Sequence, residues 1–504
     1  MFRTDRVPPD RSDVTFRYVQ GTTFLTVLRQ LTAADPARPA LTYRDQTLTR
    51  AELTDRVERL AALFAGRGVT EGSTVTIGLP NSIGFVESMF AAWALGAVPQ
   101  PISDRLPALE RAAIVDLANP ALVVGAPRSE AASEGETRPV LESVPRDLPA
   151  GEFTPGVSPE WKLMTSGGST GRPKLIGATQ PALSEIVGPA GALVHLRPDG
   201  CVLMTGPLAH NGPFVATTCA ILLGNHVVLM PRFDPAETLR LVEKHRVTWM
   251  LLVPTMMLRI WRLPEEVRLA ADVSGLEVAF HLAAPCPAWL KQAWIDWLGP
   301  EKVIELYGGT ELQAVTVISG TEWLGHRGSV GRTVLGEIEI RDPDGRPVPV
   351  GEEGEIWMRR GPDAASPYRY VGATARSAAD GWESLGDIGK VDADGYVYIT
   401  DRLADMILVG GANVYPAEIE AALDEHPAVQ SCCVIGLPDE DLGNIPYAIV
   451  ELSGPASDED LMAHLRRRLA PYKLPRVIER ATTPLRDDAG KVRRSALRAE
   501  RIAR

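Results

Sequence analysis

The spacing of apolar positions changes twice along this chain of 504 residues. From about Leu53 to Glu305, short runs rich in β-branched residues alternate with stretches whose apolar positions recur at helical spacing, the pattern of strands joined by crossover helices in a parallel sheet. Strands are expected at Thr74–Ile77, Ala121–Val124, Val202–Met204, Val227–Met230, Val247–Val253 and Lys302–Leu306, with helices at Asn81–Leu95, Asp234–His245 and Pro287–Leu298. In the second helix Asp234 offers an N-cap, Pro235 stands at the first helical position, and Leu239 and Val242 lie on the apolar stripe, with Leu241 a further candidate.

After about Gly328 the spacing becomes that of extended segments, with turns at Asp344-Gly345 and Asp394-Gly395 and a hairpin over Lys390–Thr400. Beyond Arg402 a third texture begins. Strands are expected at Met406–Val409, Val429–Ile435, Tyr447–Leu452 and Arg476–Arg480, and helices at Ala417–Glu425 and Asp458–Leu469. That is a compact α+β unit of plausible domain size. The expected fold class is therefore α/β: a large layered N-terminal domain of βαβ subdomains with a β-rich, barrel-like part (1–402), then a small α+β C-terminal domain (403–504). The stretch Ser129–Gly156, rich in Glu, Ser, Pro and Gly, reads as a surface connection.

Composition narrows the function. A net charge of -12 disfavours sequence-independent nucleic-acid binding, which depends on Lys and Arg at phosphates, and points to a small-molecule partner. The five cysteines, Cys201, Cys219, Cys286, Cys432 and Cys433, show neither a disulfide framework nor zinc spacing, so buried structural thiols and a reducing, cytoplasmic setting are expected. Cys432 and Cys433 are neighbours in an apolar run and would face opposite sides of a strand. Met1–Arg17 does not read as a signal peptide. No apolar run approaches membrane-spanning length, and Phe214–Leu223 reads as a buried helix.

Candidate chemistry begins at Thr165-Ser-Gly-Gly-Ser-Thr-Gly-Arg-Pro-Lys174, which follows the apolar start Trp161–Met164. Glycines let backbone approach a ligand, hydroxyls and free N–H groups can donate to phosphate oxygens, and Lys174 adds a positive charge. Alone, such a loop is equally an ordinary turn. It departs from the P-loop order, because Pro173 separates Arg172 from Lys174. Together with Tyr307-Gly-Gly-Thr-Glu311, Gly386-Asp387, Asp401-Arg402, Gly410-Gly411-Ala412-Asn413-Val414-Tyr415-Pro416 and Gly490-Lys491, however, the chain resembles the adenylate-forming superfamily of acyl-CoA synthetases, nonribosomal-peptide adenylation domains and luciferases. The motifs follow the family's order from about residue 20 to the C-terminus.

The resemblance implies that a carboxylate attacks the α-phosphorus of ATP, with Mg²⁺ and preorganised donors absorbing the charge that develops. Thr165, Ser166, Gly167, Gly168, Ser169, Thr170, Gly171 and Lys174 would hold the phosphates; Thr310 would touch them and Glu311 would ligate Mg²⁺. Ala283, Ala284, Pro285, Glu305, Tyr307, Gly308, Gly309 and Ile399 would surround the adenosine, and Asp387 with Arg402 would hold the ribose. Lys491, in Pro484-Leu-Arg-Asp-Asp-Ala-Gly-Lys491, would be the catalytic lysine that bridges the carboxylate and the α-phosphate. His210, Asn211, Phe214 and Gly308 would line the acid pocket; an acid–base role for His210 is open. The other histidines, His281 and His326 among them, lack the paired spacing of a metal site.

The family's pivot position, two residues after the motif Arg, is usually Asp or Lys and here is Ala404, followed by Asp405. Alanine can take up the backbone change of a hinge, but the departure leaves the second half-reaction open. The leading expectation is an acid–CoA ligase acting on an aryl or other bulky hydrophobic acid. Transfer of the activated group to a carrier-protein thiol, an amine or a small inorganic nucleophile is the alternative. A nucleotide-binding regulator without activity is a third reading, disfavoured by the retention of the transition-state groups. Neither the acid nor the oligomeric state, a homodimer included, can be read from the chain.

Overall fold

The computed structural model describes residues 21–125, 139–167, 173–378, 380–409, 412–439, 441–487 and 490–503. Among these residues the largest element is a 14-stranded sheet. One part of it is parallel, in the order Val303–Gly308, Val278–His281, Trp249–Leu252, Cys201–Met204, His226–Leu229 and Pro39–Tyr43. The pairing reverses at Val303–Gly308, whose other neighbour, Val315–Ser319, runs antiparallel, as do the strands beyond it: Ser329–Leu335, Tyr396–Arg402, Glu383–Val391, Gly354–Arg359 and Glu337–Arg341.

The expected strands and helices recur with boundaries shifted by a few residues. Asp234 caps its helix by accepting from the Glu237 N–H at 2.8 Å, with Pro235 at the first position. A second, parallel sheet is formed by Val98–Pro101, Thr74–Ile77, Leu122–Val124 and Val140–Leu141. Its last strand falls inside the stretch expected to be a surface connection, and Leu141 and Leu148 are buried. The polar composition of that stretch concealed two apolar anchors that pin its described part, 139–156, to the core.

Helix Ile83–Ala94 is buried on nearly every side, as its almost wholly apolar sequence requires. At its end Trp93 meets Phe24, Phe90 and Phe214 edge-on, at centroid distances of 5.0, 5.1 and 5.8 Å, and its indole N–H donates to the Trp161 carbonyl at 2.8 Å. This cluster ties the helix to the segment that leads into the glycine-rich loop.

In the C-terminal part a sheet of Ala412–Val414, Ile407–Val409, Gly443–Leu452, Val429–Asp439 and Val477–Arg480 is covered on both faces. Cys432 and Val434 pack with Ile419, Leu423, Leu461 and Leu465 on one side, while Cys433, Ile435 and Ile449 pack with Leu485, Val492 and Leu497 on the other. Both thiols are fully buried, on opposite faces as the alternation requires. The helix Arg494–Ile502 that carries Leu497 was not foreseen from sequence. Its strongly basic composition masks a narrow apolar stripe. No helix among the described residues is long and apolar enough to cross a membrane.

Replacing Trp93 by Ala should cost roughly 3–5 kcal/mol, as for other large-to-small core changes. Chemical denaturation followed by far-ultraviolet circular dichroism checks this, with Trp93→Phe expected to retain most of the stability.

Candidate active site

The parallel strands deliver their C-terminal ends, and the loops that follow them, to one side of the sheet, where open α/β sheets place their ligands. A cavity of about 4060 Å³ opens there. Thr165, Lys174, His210, Asn211, Ala283, Ala284, Pro285, Glu305, Tyr307, Gly308, Gly309, Thr310, Glu311, Asp387, Ile399, Arg402 and Lys491 all line it. The site residues expected from sequence and described by the structure thus converge, with one exception. Phe214 is fully buried in the Trp93 cluster and turned away from the cavity. On helix Asn211–Leu222 it is Pro213 and Val215, its neighbours, that reach the cavity wall. Gly168, Ser169, Thr170 and Gly171 lie outside the described residues, as do Gly410 and Gly411; for Ser166 and Gly167 only the backbone is described, in strand Leu163–Gly167.

The glycine-rich loop joins Leu163–Gly167 to Pro173–Ala178 in an antiparallel hairpin, with Tyr368–Val371 as the third strand. That third strand supplies a residue the motifs did not reveal. Tyr370 donates its hydroxyl to Glu311 Oε1 at 2.5 Å and accepts from Lys174 Nζ at 3.0 Å, while Lys174 lies 3.3 Å from the same Glu311 oxygen. Burial, the hydrogen bond to Glu311 and its negative charge all hold the Tyr370 phenol well above its ordinary pKa, so it stays a donor. Glu311 is buried, at 5% exposure, and so is no solvated surface charge. Its place depends on Gly309, where a Cβ would lie 2.5 Å from Leu385 and 2.8 Å from the Glu311 carboxylate.

A second polar cluster lies where antiparallel strands pair Asp387 with Arg402. Asp387 accepts from Tyr307 Oη at 2.6 Å and meets Arg402 Nε at 2.7 Å. Burial, followed by the Asp387 charge, raises the Tyr307 pKa well above its usual value. Ala283 holds a left-handed backbone, φ 77°, two residues after the end of strand Val278–His281. A non-glycine residue pays for that conformation, and such strain concentrates at ligand sites.

Glu305 is occupied within the fold: Lys291 Nζ lies 2.5 Å away, in a buried pair. Next to it His281 is fully buried, and burial pushes its pKa down to about 4, so the ring is neutral. At the turn between Glu383–Val391 and Tyr396–Arg402, His326 lies 3.3 Å from Asp392 and stacks on Tyr396 at 3.6 Å; Asp392 Oδ1 is meanwhile committed to the N–H groups of Asp394 and Tyr396 in the hairpin turn.

Lys491 enters from the C-terminal part. Its N–H donates to Asp487 Oδ1 at 2.9 Å, closing a tight turn through Gly490, which takes φ +74°. A Cβ on Gly490 would sit 2.6 Å from Thr255 Oγ1 and 3.3 Å from Val253, the residues that follow strand Trp249–Leu252. Only glycine fits both the turn and this approach. The Lys491 side chain remains reachable by solvent within the cleft, yet the surrounding protein desolvates its amine. That desolvation, with Arg402 nearby, lowers its pKa, while Asp487 and Glu311 act in the opposite sense.

Lys162 went unnoticed in the sequence because it precedes the glycine-rich loop by one strand. It lines the cavity, is 6% exposed, and donates to Asn211 Oδ1. Burial pulls its amine down to about 8.

Residues 28–369 match the AMP-binding enzyme family and residues 418–488 match the AMP-binding enzyme C-terminal domain. A feruloyl-CoA synthase of an Amycolatopsis species is 35% identical over 462 residues, which cover 88% of this chain and 92% of that protein. A 2-succinylbenzoate–CoA ligase of Bacillus subtilis is 30% identical, with 89% and 92% covered. Among solved structures, o-succinylbenzoate CoA synthetase from Bacillus subtilis, in complex with its acyl-adenylate intermediate, aligns with a TM-score of 0.80 at 26% identity over 95% of this chain and 98% of that one. A glycine-rich-loop hairpin, an acid–lysine–tyrosine cluster and a C-terminal lysine that meet in one cavity are thus found in a chain that belongs to the AMP-binding enzyme family.

Proposed function

We propose that this chain is an AMP-forming acid–CoA ligase for an aryl or other bulky hydrophobic acid. The carrying observation is that Lys491, from the C-terminal part, and the Lys174–Glu311–Tyr370 cluster, more than a hundred residues away in sequence, line the same cavity. In the first half-reaction a carboxylate oxygen attacks the α-phosphorus of ATP and pyrophosphate leaves, forming the acyl-adenylate. In the second, the thiol sulfur of CoA attacks the acyl carbon, AMP leaves, and the thiol proton goes to solvent. Two features support the acid class: the apolar wall of Pro213, Val215, Phe233 and Leu282 near His210 and Asn211, and the aryl acids in the names of the relatives.

Each group has a chemical task in this reading. The Lys491 ammonium neutralises charge shared between carboxylate and α-phosphate as the new bond forms. Lys174 and Glu311 hold each other in place; a polyphosphate would claim the lysine, and Glu311, a buried hard-oxygen donor, fits a divalent cation. Mg²⁺ bound there would offset phosphate charge. Thr310 and the loop hydroxyls orient the phosphates. Asp387, backed by Arg402, accepts from the ribose hydroxyls, and Tyr307 with Ala283–Pro285 and Ile399 flanks the adenine. His210 stands at the acid end of the cavity.

We place the domain boundary at residues 402 and 403. The last paired residue of the large sheet is Arg402, and the separate core of the C-terminal part begins at Ile407. Ala404, exposed beside the cleft, is then the pivot, and Asp405 next to it is engaged by Arg494 at 3.1 Å. Replacing Lys491 on the adenylate with a face that admits the thiol requires rotation about this point. A cytoplasmic location agrees with the free cysteines.

Acid-dependent exchange of labelled pyrophosphate into ATP should fall at least about a hundredfold in Lys491→Ala, the order expected when one transition-state donor is removed; exchange that survives the change would sink the assignment of the lysine. Because its pKa is lowered, Lys491 carries more neutral amine at about pH 8 than an ordinary exposed lysine. Acetic anhydride should therefore acetylate Lys491 faster, as read by peptide mass spectrometry, and ATP should protect it. In Asp387→Asn the KM for ATP should rise roughly tenfold, the scale of a lost charged hydrogen bond, with the KM for the acid little changed. Product mass spectrometry with and without CoA distinguishes the thioester from amide or carrier-bound products.

A further inference from the structure

Lys162 differs from most of the buried cations among the described residues; Arg268 also lacks an acid, but it stacks on the Trp261 ring and donates to the Trp261 carbonyl. Lys291 has the Glu305 carboxylate at 2.5 Å, and Arg50 has Asp199 at 3.2 Å. Lys162, equally buried, has no carboxylate within ion-pair distance among the described residues. Its ammonium donates to Asn211 Oδ1 and lies 5.0 Å from the Trp161 ring centroid. An ammonium carries three N–H donors, and buried charges are normally paired. The unspent donors border the cavity that Asn211 and His210 also line. The Glu311 charge attracts the Lys162 ammonium without a hydrogen bond, so a partner for its remaining donors has to arrive with a ligand.

The place of Lys162 selects which part of the ligand that is. It is anchored to the first residue of helix Asn211–Leu222, whose Pro213 and Val215 form the apolar wall, and its charge is felt by Cys219 two turns further along that helix. The reacting carboxylate and the phosphates already have Lys491 and Lys174. Building on the ligase reading above, we propose that Lys162, steadied by Asn211, is a specificity-determining residue that donates to an oxygen on the acyl portion of the acid: a hydroxyl, a carbonyl or a second carboxylate. The chain then prefers oxygen-bearing bulky acids to their unsubstituted counterparts. The lowered pKa of about 8 leaves the amine largely charged near neutrality, as a donor requires.

The test uses matched pairs of aryl and polycyclic acids that differ by one ring hydroxyl, for example para-hydroxycinnamic and cinnamic acid, with the full chain. Binding is measured by titration calorimetry and turnover by pyrophosphate exchange. The wild type should favour the oxygen-bearing member of at least one pair by about tenfold or more. In Lys162→Met that preference should vanish through a higher KM for the oxygen-bearing acid, while the unsubstituted acid and the KM for ATP change less than about threefold. Lys162→Gln, which keeps a donor, should retain part of the preference, and unchanged thermal midpoints confirm folding. Equal losses for both members, an altered KM for ATP, or no wild-type preference in any pair would each overturn the proposal. Selective binding without exchange would instead refute the ligase reading and leave the role of Lys162 standing.

Discussion

The site depends on one close approach of backbone to protein: the turn at Gly490 pressed against Thr255 and Val253. The Asp387–Arg402 pair, Tyr307 and Glu311 are presented by the large sheet and its loops, and Lys174 and Tyr370 by the three-stranded sheet beside it. Lys491 cannot be supplied in this way. It reaches the cavity because a left-handed glycine lets a tight turn, stapled by Asp487, lie flat on the end of strand Trp249–Leu252. The electrostatics follow from that contact. The lysine joins a field already containing Asp487, Arg402 and Glu311, and its amine is desolvated by the surrounding protein.

The sheet contributes a second constraint, the reversal of pairing at Val303–Gly308. Parallel strands direct their C-terminal ends to one side, which brings together His210, Ala283–Pro285 and Thr310–Glu311. Antiparallel pairing directly sets Asp387 opposite Arg402. Tyr307 stands on the strand shared by both regimes and, through its hydroxyl on Asp387, couples the two halves. Thr310–Glu311 and the Asp387–Arg402 pair therefore come from differently bonded parts of one continuous sheet.

Much of this was legible in the chain, for identifiable reasons. Strands buried on both faces, such as Trp249–Leu252, are unbroken apolar runs, and the helix after Asp234 advertises its own cap. The motif residues announced themselves by unusual clustering of Gly, Thr, Glu and Lys. What escaped depends on distant pairing. Tyr370 reaches Glu311 only because Tyr368–Val371 adds to the loop hairpin, a partnership across almost two hundred residues. Phe214 was expected in the pocket because it neighbours His210, but the turn of the helix points it into the Trp93 cluster. Lys162 looked like an unremarkable charge, since neither its burial nor its lack of an acid can be read from spacing.

The C-terminal sheet, with Cys432 facing one layer of helices and Cys433 the other, carries a finished interior of its own. The bonds described between this unit and the large sheet's side of the chain are polar: Arg262 to the Asp424 carbonyl, Tyr415 to Glu353, Ala417 to Asp401, and Arg493 to Glu110. Water can substitute for each of these partners at little net loss, whereas exposed apolar area has no such substitute. A unit built in this way keeps its greasy contents sealed whether its wet seam is met by protein or by water.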